Sequence, residues 1–165
     1  MVPEAADPVS TSALGGALRT HALTLVGLLE LLGEPAAVGP SDGAPETCRE
    51  RDLIRAVADE LDRIGAVLQR LATGDVERSV RRRNLRREAA RHELDIEGTR
   101  VCPRPGPSRV APDTRAQVRE RLQELLNRVA AAQGRDLASF SRDLDVSLVV
   151  LRGISERARS VQTVQ

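Results

Sequence analysis

Seven arginines lie between positions 78 and 91: Arg78, Arg81, Arg82, Arg83, Arg86, Arg87 and Arg91, with Glu88 the one acid among them. Guanidinium groups offer planar, permanently charged donors that match phosphate oxygens. Carried on a helix, they would track a duplex backbone and release its counterions. Backbone contacts are therefore expected from Arg78, Arg81, Arg82, Arg83, Arg86 and Arg87. The alternative reading of the run is a solvated helix face, or one paired with acids of neighbouring elements. RNA or an acidic protein would be read by the same charges.

Other reactive side chains form no recognisable constellation. Cys48 and Cys102 are too far apart in sequence for a metal knuckle, and a reduced chain is expected. His21 and His92 have no cysteine or carboxylate at ligand spacing. The serines lack a nucleophile elbow, and Gly15-Gly16 follows nothing that reads as a strand, so it is no phosphate loop. The expectation is a protein that is not an enzyme and uses neither cofactor nor metal.

Composition narrows the rest. All 25 basic residues among the 165 are arginine, and 24 acids leave a net charge of +1, so no global field draws the chain to polyanions. One Phe, without Trp or Tyr, excludes aromatic stacking platforms and aromatic-lined pockets. The most apolar run, Ala22 to Leu32, is broken by Glu30 and is half the ~20 residues of a membrane span. The start, Met1-Val-Pro-Glu-Ala-Ala-Asp, lacks the basic opening of a signal peptide. A cytoplasmic protein without a membrane partner is expected.

Periodicity predicts helices. The first runs from about Ser12 to Leu32, capped at Ser10, Thr11 or Ser12 and stopped by Gly33 and Pro35, with a flexible linker over Pro35 to Thr47. The second, Arg49 to Thr73, carries Ile54, Val57, Leu61, Ile64, Leu68 and Leu71 as a heptad seam. That seam should pair with the first helix and join two hairpins into a homodimeric four-helix bundle. A break at Thr73-Gly74-Asp75 precedes the arginine helix. Pro103, Pro105, Gly106, Pro107 and Pro112 mark a linker over 98–112. Val118, Leu122, Leu125, Val129 and Ala132 then repeat the seam up to Gly134. Two short helices follow, Leu137 to Asp143 and Ser147 to Arg159. The expected fold is all-α: residues 1–97 as hairpin plus basic helix, 98–112 as linker, and 113–165 as a three-helix unit.

The stretch from Gly134 to Ile154 resembles the helix-turn-helix of the Cro/repressor family. Gly134 follows the preceding helix, Leu137 and Phe140 are apolar where that family is, Ser141 is small, and Leu144-Asp145-Val146-Ser147 stands at the turn. The resemblance covers about residues 115–157. It implies a recognition helix in the major groove, with Ser147, Leu148, Val149, Arg152 and Glu156 at base-reading positions. In a dimer two such helices would lie ~34 Å apart. Two short helices packing on the third are the alternative for the same residues. A second, shorter likeness is carried by Leu18, Arg19, Thr20, Gly27, Glu30, Leu31 and Leu32, which resembles the dimerisation helix of bacterial histidine kinases. Gly16 stands where that family's phosphoacceptor histidine would be, so only a two-helix hairpin is implied. The resulting expectation is a small regulator of transcription that binds duplex DNA as a homodimer. Its rival is a helical adaptor whose Leu148, Val149 and Val150 dock a protein partner.

Overall fold

The computed structural model describes residues 7–31 and 44–162. Among these the elements run α1 (Pro8–Leu31), α2 (Ala44–Arg91), β1 (Leu94–Glu97), β2 (Arg100–Pro103) and α3 (Pro112–Gln162). The all-α class holds, with one small antiparallel hairpin added. The helix stop at 33–35 and most of the expected linker lie outside the described residues; positions 44–47 of that linker are helical.

Helix α1 begins earlier than expected because Asp7 caps it. Its carboxylate accepts from the backbone N–H groups of Val9 and Ser10, and Pro8 takes the first helical position, where its missing N–H is no loss. The chain separates into two compact units. The first comprises α1 with residues 44–72 of α2 and 139–162 of α3; the second is the continuous stretch 73–138. Residues 98–112 lie inside the second unit.

In the first unit α1 is antiparallel to α2. Gly15 meets Gly65, Arg19 pairs with Asp62 at 2.8 Å, and Arg51 donates to the Leu29 carbonyl at 3.3 Å. Buried Gly15, Ala22 and Leu29 recur every seventh residue. At the Gly15–Gly65 crossing the backbones are close enough that a Cβ on Gly65 would stand 2.6 Å from the Gly15 carbonyl oxygen. The heptad seam expected to join two copies is largely used here: Leu68 is buried, and Ile54, Val57, Leu61, Ile64 and Leu71 are half-buried within one chain.

The second unit pairs the end of α2 with the start of α3. Its core is Leu85, Ala89, Leu94, Val101, Leu122, Leu126 and Val129, flanked by Ile96, Val118 and Leu125. Glu93 ends α2 in the left-handed conformation (φ 56°), and its carboxylate accepts from the Arg109 N–H, tying down the loop after β2. Gly98 turns the hairpin with φ 59°, the first central position where positive φ favours glycine. Gln123 of α3 accepts from the Val101 N–H and donates to the Thr99 carbonyl, both at 2.8 Å, satisfying hairpin groups left unpaired.

Two expected breaks do not form. Helix α2 runs through Gly74, where Arg78 folds back over the glycine and pairs with Asp75. Helix α3 runs through Gly134 and through 144–147, so the turn required by helix-turn-helix geometry is absent. The physical reason is the seam. Leu122, Leu126, Val129, Gln133, Asp136, Phe140, Leu144, Ser147, Leu151 and Ile154 follow one another by threes and fours without a gap. A glycine costs a helix about 1 kcal/mol, too little by itself to end one whose flanking turns are packed, even though residues 134–139 are themselves exposed.

Two glycine substitutions should therefore move stability in opposite directions. Gly134→Ala adds a methyl where nothing lies within 4 Å, and should stabilise by about 0.5–1 kcal/mol. Gly65→Ala drives a Cβ into the Gly15 carbonyl and should destabilise by about 1–3 kcal/mol. Urea unfolding followed by far-ultraviolet circular dichroism measures both. A loss of stability in Gly134→Ala would contradict a continuous α3.

Candidate nucleic-acid interface

The phase of α2 sorts its arginines. Buried Leu85 and Ala89 fix the inward side, and Arg78 and Arg82 share it. Arg78 is only 6% exposed; it bonds Asp75 at 2.5 Å and also Asp136 of α3. Arg82 donates to Gln133 of α3 at 3.0 Å. Arg81 is exposed and lies 3.5 Å from Glu77 on its own helix. These three are occupied within the chain, though only Arg78 pairs with an acid of a neighbouring element.

Arg83, Arg86, Arg87 and Arg91 differ. All four are exposed, and none has an acidic partner among the described residues. At 3.6 residues per turn they cover about 140° of arc, opposite the buried side, and span about 12 Å of helix axis. The nearest acid in the run, Glu88, is taken by Arg121 of α3. Arg91 belongs to the run but is not among the six contacts expected from it, although its spacing of four from Arg87 and eight from Arg83 places it with them. Charge is also divided between the units. Residues 73–138 hold fifteen arginines and ten acids, whereas the remainder holds ten and fourteen.

The positions expected to read bases lie on α3 in the first unit. Ser147 is 2% exposed: its hydroxyl accepts from Arg63 at 2.8 Å and donates to the Asp143 carbonyl at 3.0 Å. Leu148, Val149, Arg152 and Glu156 are exposed along a continuous helix, with no turn to project them as a helix N-terminus. The Arg63 guanidinium also forks onto Glu60, at 2.8 and 3.1 Å. Burial pushes the Glu60 carboxyl up, but hydrogen bonds from Arg63 and the Arg63 charge outweigh it, leaving the group below its ordinary 4.5.

Among the described residues no cluster of three His, Cys, Asp or Glu could hold a metal, and no helix is long and apolar enough to cross a membrane. Cys48 is exposed and Cys102 half-buried, both as free thiols. No family model, curated protein or solved structure matches this chain. The arginine face must be read from its own chemistry.

The Glu60 site carries a pH dependence whose sign follows from its lowered value. Its contribution to stability is complete above pH 4.5 and disappears as pH falls through the folded-state value. Stability of the native chain should fall more between pH 6 and about pH 3 than that of Glu60→Gln, as measured by urea midpoints. Equal losses in the two would show that the Arg63 fork does not favour the ionised carboxylate.

Proposed function

We propose that this chain is a nucleic-acid-binding protein whose second unit grips the phosphate backbone of duplex DNA through Arg83, Arg86, Arg87 and Arg91. One observation carries the reading: four exposed arginines, without acidic partners among the described residues, share the solvent side of a helix whose opposite side is anchored in a core. Arginine forks suit phosphate oxygens and lose little freedom on engaging them. Arg83, Arg87 and Arg91 recur about every 6 Å along the helix axis, so several phosphates can be met without bending the protein. Without aromatic platforms the chemistry favours a paired backbone over splayed single-strand bases.

The proposed binding is driven by charge and indifferent to sequence, since phosphate contacts position a protein without reading bases. Regulation of transcription through base contacts from Ser147, Leu148, Val149, Arg152 and Glu156 is no part of it. Ser147 is turned inward, and aliphatic Leu148 and Val149 offer no hydrogen bonds to base edges.

Fluorescence anisotropy of a labelled duplex, titrated across a salt series, tests the proposal. Four neutralised phosphates give a slope of log K against log salt near −3.6. Replacing all four arginines with Gln should lower affinity more than tenfold and flatten that slope, while replacing them with Lys should retain most binding. Absence of duplex binding at about 50 mM salt, or a Gln variant that binds unchanged, would overturn it. Capture of polyglutamate in preference to duplex would reassign the face to an acidic protein.

A further inference from the structure

We infer that the outward face of α3 around Val149 is a self-association surface, on which a second copy of this chain lies antiparallel. Arg142, Val146, Val149, Gly153 and Glu156 follow by four, three, four and three, and so form one stripe on a continuous helix. The stripe turns away from the buried Ser147 and Ile154. Val149 is 67% exposed, Val146 and Val150 are also exposed, and nothing lies within 4 Å of the place a Cβ on Gly153 would occupy.

Charge on this stripe selects the occupant. Arg142 and Glu156 stand seven residues before and after Val149, with opposite signs. Asp145 and Arg152, four before and three after, repeat the opposition with the order reversed. All four are exposed, and none has an ion-pair partner among the described residues. An antiparallel second copy centred on Val149 sets valine on valine and drops Val146 over the glycine gap at Gly153. It also brings Arg142 to the second copy's Glu156, and Asp145 to its Arg152, twice each by the two-fold symmetry. A parallel copy would set like charges together at every one of these positions. The helix is therefore complementary to its own reverse. This inference is independent of the arginine face on α2.

Sedimentation equilibrium of the full chain at tens of micromolar tests it. The expected species has twice the 17.9 kDa chain mass. Arg142→Glu alone, or Glu156→Arg alone, should weaken the dimer by roughly tenfold, and the double reversal R142E/E156R should restore it. In a C48S/C102S background, Val149→Cys should oxidise to a covalent dimer. Val146→Cys should not, because its copies are offset by at least about 9 Å along the helices, beyond disulfide reach. A monomer at about 100 µM, a dimer indifferent to the single reversals, or a double reversal no better than the singles would each overturn the inference.

Discussion

Arginines that leave the surface govern how α2 meets α3. A guanidinium removed from water is tolerable only where acceptors surround it, since burying an unpaired charge costs several kcal/mol. In the second unit buried Arg78 finds Asp75 and Asp136, and half-buried Arg82 finds Gln133; in the first, half-buried Arg63 supplies the donors for buried Glu60 and Ser147. Each acceptor on α3 occupies a seam position where an apolar side chain would be the simpler choice. A slide by one turn would leave buried Arg78, Glu60 and Ser147 without these partners, which disfavours it beyond the loss of apolar contact. The same demand divides the basic run of α2 into arginines held for structure and arginines left over.

That division explains how far the primary sequence can be read. Helix class, the heptad seams and the excess of arginine over 78–91 were all legible, because they are properties of local period and composition. Choosing Arg83, Arg86 and Arg87 over Arg78 and Arg82 was not, since it depends on which side of α2 Leu85 and Ala89 bury. The turn at 144–147 failed for a related reason. Leu144, Val146 and Ser147 suit a turn, but Leu144 and Ser147 equally continue the spacing of three and four, and no proline lies between Asp113 and Gln162. Continuous burial then outweighs local turn chemistry. The hairpin was hidden under the opposite error. Leu94-Asp95-Ile96-Glu97 alternates with period two before Gly98-Thr99, a recognisable strand and turn, but the prolines that follow dominate the composition.

A net charge of +1 conceals an uneven distribution. Acids outnumber arginines in the unit built on α1, and arginines outnumber acids in the unit that carries the hairpin. Long-range attraction to a polyanion then acts on one part of the chain and is opposed by the other. Steering of this kind is set by local fields, and a whole-chain charge does not report it.

The order of assembly is written into the way the second unit interrupts the first. Residues 73–138 form a continuous segment whose two helical arms are neighbours through a short hairpin, so its contacts close small loops. The first unit must join segments that flank this whole insertion. While the insertion is unfolded, that joining means closing a long flexible loop at an entropic cost. Once the inner arms have paired, residues 73 and 138 are held about a helix spacing apart, 8–10 Å, and most of that cost has been met. Contact locality therefore favours formation of the hairpin unit before the outer helices join.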